Sequence, residues 1–264
     1  MKYFPQLESG AMAQYPLRKI RRQRCVVNSH LDGRRRKLLD APEAQVEWRL
    51  ALTGLTSLER DNLETLFQEV EGRLGSFTFL DPADNLLLWS EDLTNAAWVE
   101  GPLIELTGPI ADPAGTNRAT RIANTGAAAQ TVEQAVAGPG WHHYCFSLYV
   151  RSVQEGSVTL FRAAGPASDS RSYRVGASWT RLTHSGRFET SAEGVRFGIS
   201  LPVGRTVDVY GVQVESQPAP SPYRRTTSRC GVYPEARFAD DILTVTAHGP
   251  ESYGCLVRIV ARVS

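Results

Sequence analysis

Hydrophobic and polar residues alternate over residues 45–52, with Val46, Trp48, Leu50 and Leu52 on one side of the pattern. Such alternation is typical of a β-strand that buries one face. A second alternating run contains Phe77 and Phe79 and stops at the Asp81-Pro82 dipeptide. Because proline cannot donate to a β-ladder, that run predicts a short strand ending there.

Between these two strands the apolar spacing changes to intervals of three and four residues. The residues that recur at this spacing are Leu63, Leu66, Phe67, Val70 and Leu74. Thr56 and Glu59 have the spacing of a capping box, in which each side chain accepts a hydrogen bond from the other residue's backbone N–H. One helix is therefore predicted, ending near Gly72 or Gly75, where a left-handed residue is easily accommodated.

From residue 85 to about residue 225 the helical spacing disappears, and short alternating runs are separated by Gly, Pro, Ser and Asn. Nine strands are predicted, at residues 103–106, 118–122, 129–136, 143–150, 157–161, 171–175, 180–188, 195–200 and 207–215. This density of short strands predicts an antiparallel, jelly-roll-like β-sandwich.

Two more alternating runs, 242–247 and 257–263, flank the turn dipeptide Gly249-Pro250 and predict a hairpin. An isolated hairpin is marginally stable, so its apolar face must dock on another unit. The N-terminal unit is the economical partner. We therefore expect a discontinuous domain of residues 1–84 and 226–264, with residues 85–225 inserted as a second domain.

The overall composition is that of an ordinary globular protein: 264 residues, 42 % hydrophobic and 22 % charged, with a net charge of +1. Global electrostatic attraction to nucleic acid or to a membrane is not expected. No apolar run has the length of a signal peptide or a membrane helix, so synthesis in a cytosol is expected. The four cysteines are far apart and form no C-x-x-C motif, which predicts buried thiols and no disulfide framework.

Three segments resemble the distal tail protein family of phages: QYPLRKIRRQR before the Asp32-Gly33 turn, VEWRL before LTSLE, and EGRLGSFTFLDP. The resemblance implies a tail-tube-like β-sandwich or barrel domain with one helix. It also implies a ring, commonly a hexamer, that joins the tail tube to the tip or baseplate. The implied partners are further copies of the chain, the tail tube protein and the baseplate hub proteins.

The inserted region is similar to carbohydrate-binding-module-like β-sandwiches of phage tail and fibre proteins. The resemblance begins with NLLLWSEDLTNAAW and continues through YCFSLYVR, WTRL, VYGVQVE and SPYRRT, in this order. It implies a module displayed outward that contacts host-surface polysaccharide. Trp98 and Trp141 are next to turn residues and are the candidates for stacking on sugar rings. Trp179, in an alternating run, is expected to fill the core instead.

Nine basic residues flank the Asp32-Gly33 turn, and a hairpin would bring them onto adjacent strands. The candidates for subunit contact among them are Arg18, Arg21, Arg22, Arg24, Arg34, Arg35 and Arg36. So many like charges repel unless something neutralises them, which favours contact with acidic surfaces of neighbouring subunits. A solvated or internally paired face remains an alternative. Contact with DNA is disfavoured because no aromatic residues are interleaved with the charges.

Residues that would indicate catalysis are scarce. His142 and His143 are adjacent and would point to opposite sides of a strand, so they are poorly placed to chelate one metal ion. No nucleophile elbow, zinc-protease or phosphate-loop motif occurs. We expect no enzyme activity and no cofactor. A structural calcium ion at a sandwich loop, such as the turn at Asp112, is left open.

The sequence therefore predicts a structural protein of the virion tail tip, made in the bacterial cytoplasm. It would form a ring and carry an outward module that contacts glycans. The alternative is a host-recognition carbohydrate-binding protein attached to the tail. A gene transfer agent or a contractile injection particle fits the first prediction equally well.

Overall fold

The computed structural model describes residues 1–262, without the side chains of residues 40–43, so the predicted strand end at Val263 lies outside it. The chain is mainly β, with one helix in the described part. In chain order the elements are β1 (Arg18–Ser29), β2 (Arg35–Leu55), α1 (Ser57–Glu69), β3 (Phe77–Leu80), β4 (Val99–Glu100), β5 (Ile104–Ile110), β6 (Ala119–Asn124), β7 (Gln130–Pro139), β8 (Tyr144–Arg151), β9 (Gly156–Ala164), β10 (Ala167–Val175), β11 (Thr180–Gly186), β12 (Glu193–Leu201), β13 (Thr206–Glu215), β14 (Val232–Phe238), β15 (Val245–Gly249) and β16 (Ser252–Arg262).

The chain divides into two compact units. Unit 1 comprises Met1–Glu8, Ala13–Phe79 and the chain from Tyr233 onward, and unit 2 comprises Ser9–Met12 and Leu80–Val232. Unit 1 is built on a six-stranded sheet in the order β1-β2-β16-β14-β3, with β15 paired to β16. Strands β1 and β3 end this path, so the described strands of unit 1 form an open sheet rather than a closed barrel.

The core of unit 1 lies on the side of the sheet that carries Trp48. This side chain is fully buried, and its ring centroid lies 4.9 Å from that of Phe79 and 4.6 Å from that of Tyr233. Helix α1 contributes Leu63 and Leu66 to the buried set. The alternation in β2 therefore separates a core side from an opposite side that carries Glu47 and Arg49.

The local signals for helix α1 are confirmed. Thr56 and Glu59 form both hydrogen bonds of the capping box. The helix ends where Gly72 adopts a φ of +63° and donates its backbone N–H to the Phe67 carbonyl at 3.0 Å. A side chain at this position would be strained, so the helix does not continue past it. Leu74, the last residue of the predicted apolar series, therefore lies outside α1 and is 67 % exposed.

Strands β1 and β2 form a long antiparallel hairpin whose end projects from the sheet. The turn is closed by a hydrogen bond of 2.8 Å from the His30 N–H to the Arg34 carbonyl, with Gly33 at a φ of +83°. Every residue from 21 to 39 is exposed. We call its projecting part, residues 23–39, the arm.

Unit 2 is a sandwich of two five-stranded antiparallel sheets. Their orders are β10-β9-β12-β7-β4 and β11-β8-β13-β6-β5. Phe197 of the first sheet meets Tyr144 and Phe146 of the second, with ring centroids 5.5 and 5.8 Å apart. These contacts place the core between the sheets, and the predicted mainly β fold with an antiparallel sandwich is confirmed.

The two ends of the long segment of unit 2 are hydrogen-bonded to each other. The Asp81 N–H donates to the Gly231 carbonyl at 2.8 Å, and the Gly231 N–H donates to the Asn85 carbonyl at 2.7 Å. The long segment of unit 2 thus ends beside the point where it begins.

In the described part of the chain, the single helix is too short and too polar to cross a bilayer.

Candidate functional site

An arginine-rich surface covers the side of the unit 1 sheet that faces away from Trp48. In the strand register Arg49 lies opposite both Arg18 and Arg258, and Gln45 lies opposite both Arg22 and Arg262. Cross-strand partners point to the same side of a sheet, so these arginines share one face. We define the arginine face by Arg18, Arg22, Arg49, Arg237, Arg258 and Arg262.

Glu47 anchors the centre of the arginine face. It is 2 % exposed, and its carboxylate accepts hydrogen bonds from Arg22 at 2.6 Å, Arg49 at 2.8 Å and Arg258 at 3.1 Å. Burial alone would raise the pKa of Glu47, but the hydrogen bonds from Arg49 and Arg258 outweigh it, and the pKa is lowered. The carboxylate therefore stays ionised and orients three guanidinium groups.

A cleft of about 300 Å³ opens on the arginine face beside Glu47. Arg73 and Arg237 contribute to its lining, and Phe238 supplies an apolar wall. At its border Arg258 pairs with Asp240 at 3.1 Å. Guanidinium groups around a cleft of this size suit the carboxylates or phosphates of a ligand or partner.

The structure distributes the predicted subunit-contact residues over two places. Arg18 and Arg22 lie on the arginine face, whereas Arg21 lies in register with Val46 on the other side of the sheet. Arg24 and the Arg34–Arg36 run belong to the arm. Their role in subunit contact stays a prediction. Sequence reasoning missed Arg49, Arg237, Arg258 and Arg262, which reach this face only through the pairing of distant strands.

The arm also exposes apolar side chains. Val26 and Leu38 are opposite each other in the register and are 36 % and 45 % exposed, and Val27 and Leu39 are 49 % and 62 % exposed. Cys25, opposite Leu39, is exposed too, so the expectation of a buried thiol is wrong at this position. A strand in a two-stranded ribbon has no sheet face behind it that could cover such residues.

In unit 2 the outer surface of the second sheet carries aromatic and charged groups. The guanidinium of Arg151 lies 4.8 Å from the centroid of the Trp179 ring, and that of Arg181 lies 5.5 Å from the Tyr149 ring. Asp208 holds Arg151 in place at 3.0 Å. We call Tyr149, Arg151, Trp179 and Arg181 the aromatic face.

The interpretation of Trp179 as a core residue is wrong. Trp179 precedes β11 in a turn, remains half-buried and stacks with Arg151. Arg151 and Tyr149 alternate in β8 with the core residues Leu148 and Val150 and therefore point outward. The alternation that suggested a core position begins only after this residue.

The two predicted sugar-contact residues differ in exposure. Trp141 is 43 % exposed. Trp98 is 7 % exposed, and its indole N–H donates to the Trp89 carbonyl at 3.2 Å. The buried ring offers no face on which a sugar could stack in this conformation.

Neither histidine of the adjacent pair is placed for metal chemistry. His142 is 1 % exposed, and burial lowers its pKa to about 3. Burial lowers the pKa of His143 as well, together with the charges of Arg162 and Arg187. Among the described residues, no group of three or more His, Cys, Asp or Glu side chains could hold a metal ion.

The turn at Asp112 is the place left open for a calcium ion. Its carboxylate accepts hydrogen bonds from residues of the same turn. Asp112 accepts hydrogen bonds from the backbone of Ala114 at 2.8 Å and of Arg118 at 3.0 Å, and also from the backbone and hydroxyl of Thr116. Burial alone would raise the pKa of Asp112, but these hydrogen bonds lower it. Both carboxylate oxygens serve to close the turn, and the calcium expectation stays untested.

A scan against protein families finds no match, and neither does a search of the curated proteins. Solved structures do match. The CBM22-1 xylan-binding domain of Paenibacillus barcinonensis Xyn10C is 12 % identical, with a TM-score of 0.42 over 53 % of this chain and 99 % of that one. The C-terminal family 22 carbohydrate-binding module of Clostridium thermocellum Xyn10B is 14 % identical, with a TM-score of 0.41 over 54 % of this chain and 97 % of that one.

The enzymatically active domain of bacteriophage CBA120 tailspike protein 4 is also similar. It is 11 % identical, with a TM-score of 0.39 over 52 % of this chain and 22 % of that one. At these scores the similarity is one of shape, and we base no functional argument on it.

Proposed function

We propose that the chain is a structural subunit of the tail tip of a phage or phage-like particle. Unit 1 would form a ring with copies of itself, commonly six by family resemblance, between the tail tube and the baseplate hub proteins. Unit 2 would be the outward module. The observation that carries the proposal is the arm, whose described side chains are all exposed on both sides of the ribbon.

The exposed apolar residues of the arm favour its being covered when copies of the chain assemble. A two-stranded ribbon is marginally stable by itself, and exposed apolar residues on it create a surface prone to association. Val27 and Leu39 are 49 % and 62 % exposed, and the arm carries several arginines and Lys37 against one acid, Asp32, so its net charge is strongly positive. A partner that offers apolar contact and negative charge would satisfy both requirements.

The test is the mass of the purified chain in solution, measured by light scattering at low and moderate salt. We expect a closed oligomer for the natural sequence. The variant Val26→Thr/Val27→Thr/Leu38→Thr/Leu39→Thr places a residue of high β-propensity at each position but removes most of the apolar surface, and it should remain a single copy. Threonine at Val203, which is 59 % exposed in unit 2, is the matched control and should assemble normally.

A single-copy mass for the natural sequence at every salt concentration and protein concentration would contradict self-assembly. Normal assembly of the quadruple variant would show that the arm is not the contact. Circular dichroism of each variant separates a lost contact from a lost fold.

A second candidate function, glycan recognition, is favoured by the aromatic face. A half-buried Trp179 ring with Arg151 stacked on it and Tyr149 nearby offers an apolar platform next to hydrogen-bond donors, which is how proteins contact the faces and hydroxyls of sugars. In this case the chain would be a host-recognition protein attached to the tail, or would combine the two functions.

Glycan arrays with neutral and acidic polysaccharides, followed by calorimetric titration, test this second function. Trp179→Ala should abolish binding, and Trp141→Ala should leave it unchanged. The reverse result would transfer the contact to Trp141. No binding to any glycan would leave unit 2 with a bracing role in the tip.

A further inference from the structure

The side of unit 1 opposite the arginine face is acidic. From Glu59 to Glu71 the chain contains five carboxylates and one arginine. Glu59 is used internally, since it closes the capping box and also accepts the Glu8 N–H at 2.8 Å. Asp61, Glu64 and Glu69 on the helix and Glu71 just after it remain. Arg60 pairs with Asp61 and Lys2 pairs with Glu69, so an excess of about two negative charges is left on this side of unit 1.

Helix α1 covers the core side of the sheet. Its buried residues are Leu63 and Leu66. Burial raises the pKa of Cys255 to about 11, and the nearby charge of Glu64 contributes. Cys255 is in register with Leu52 on the core side of β2. The outer surface of the helix and the arginine face therefore lie on opposite sides of the same sheet.

The arginine face has an excess of positive charge. Six arginines define it, and Glu47, Glu235 and Asp240 offset three of them. An excess of about three positive charges remains, at spacings set by the four adjacent strands β1, β2, β16 and β14. The cleft beside Glu47 gives a protruding carboxylate a place to enter.

We propose that the arginine face of one copy of the chain packs against the exposed side of helix α1 of the next copy. Two complementary surfaces on opposite sides of one sheet cannot meet within a molecule, but they meet between molecules. Such a contact is heterologous, head to tail, and generates a ring when its rotation closes. This inference rests on the proposed function, because it names the surfaces through which the copies associate.

Two charge-reversed variants test the contact without disturbing Glu47 and its three arginines. Arg18→Glu/Arg237→Glu/Arg262→Glu makes the face acidic, and Asp61→Lys/Glu69→Lys/Glu71→Lys makes the helix basic. All six positions are exposed. Each variant alone presents like charges on both surfaces. Like charges that face each other cost several kcal/mol. The protein concentration at which half of the chains are assembled should therefore be at least about 100-fold higher than for the natural sequence.

An equimolar mixture of the two variants distinguishes this contact from a general loss of assembly. In an alternating ring, every acidic helix meets a natural arginine face and every basic helix meets a reversed, acidic face. Native mass spectrometry should therefore detect oligomers of the natural size that contain both variants in equal numbers. The control Glu105→Lys/Glu189→Lys/Glu193→Lys changes three exposed acids of unit 2 and should assemble like the natural chain.

The possible failures have different meanings. If either reversed variant assembles alone like the natural chain, or if the mixture stays unassembled while both variants are folded, the head-to-tail contact is overturned and self-assembly through the arm stands. If the natural chain itself remains a single copy, the proposed ring function fails and this contact fails with it.

Discussion

The Nη2 of Arg22 lies 2.6 Å from the Oε2 of Glu47, which ties an arginine of the edge strand β1 to a carboxylate that is almost fully buried. Two further arginines, Arg49 and Arg258, bind the same carboxylate from β2 and β16. The hairpin carrying the arm is thus fixed to the sheet by one ionised group as well as by backbone pairing.

We predict that Glu47→Gln lowers the free energy of unfolding of unit 1 by about 1–3 kcal/mol, the usual contribution of hydrogen bonds to a charged group. The arginines are 34–57 % exposed, so water can replace part of what they lose. Calorimetric or denaturant unfolding measures the change. Glu235→Gln, at an exposed position, is the control and should have little effect.

The same carboxylate predicts a pH dependence. The pKa of Glu47 is lowered in the folded chain, so the unfolded chain binds its proton at higher pH. Its stabilising contribution is complete above the unfolded pKa of about 4.3 and is lost as the pH falls through the lower, folded value. The free energy of unfolding, measured from pH 7 to pH 3, should fall at the acid end. Glu47→Gln should remove the part of this fall that comes from protonation of Glu47. An unchanged pH profile in the variant would contradict the lowered pKa.

The buried imidazole of His142 should make the stability of unit 2 depend on pH, over a range that begins at higher pH than the range of Glu47. Burial lowers its pKa to about 3, whereas in the unfolded chain it titrates near 6.5. Below about pH 6.5 the unfolded state binds a proton at His142 that the folded state does not bind. The free energy of unfolding therefore falls by up to about 1.4 kcal/mol per pH unit. His142→Phe should reduce the slope of stability against pH between about 6 and 3. A residual slope should remain, because burial also lowers the pKa values of His143 and His184.

The labelling rate of the Cys25 thiol should report whether the arm is buried in the assembly. It is exposed, whereas Cys145 is buried and burial raises its pKa to about 12. Burial likewise raises the pKa of Cys230. A maleimide should therefore react fastest with Cys25 in single copies and much more slowly after assembly. Cys25→Ser should remove the fast phase. Equal labelling rates in both states would show that the arm stays uncovered.

Alternation predicted the strands of unit 2 well because most of them bury one side in the sandwich core, although the edge strand β10 is largely exposed and β13 is buried on both sides. All nine predicted strands overlap β5 to β13. The short β4 was missed, since two residues show no period. Strand β14 was missed as well, because Pro234 and Glu235 interrupt its apolar pattern.

The candidate surfaces were harder to predict because they depend on which strands pair. Arg258 joins Arg49 only through the pairing of β16 with β2, about 200 positions apart in the chain. Once that pairing is known, the positions of Arg258, Val260 and Arg262 at every second residue of β16 place all three on the side of the sheet that carries Arg49. The exposure of Val26 and Leu38 was not predictable, because apolar residues in an alternating run favour a strand with one covered side.

The hydrogen bonds that join Asp81 to Gly231, and Gly231 to Asn85, leave the long segment of unit 2 with neighbouring ends. A piece of chain with neighbouring ends can be exchanged for another of different size without changing the distance that its carrier must bridge. Recombination between related genes would therefore replace this segment of unit 2 as a cassette, while the sheet of unit 1 keeps its sequence.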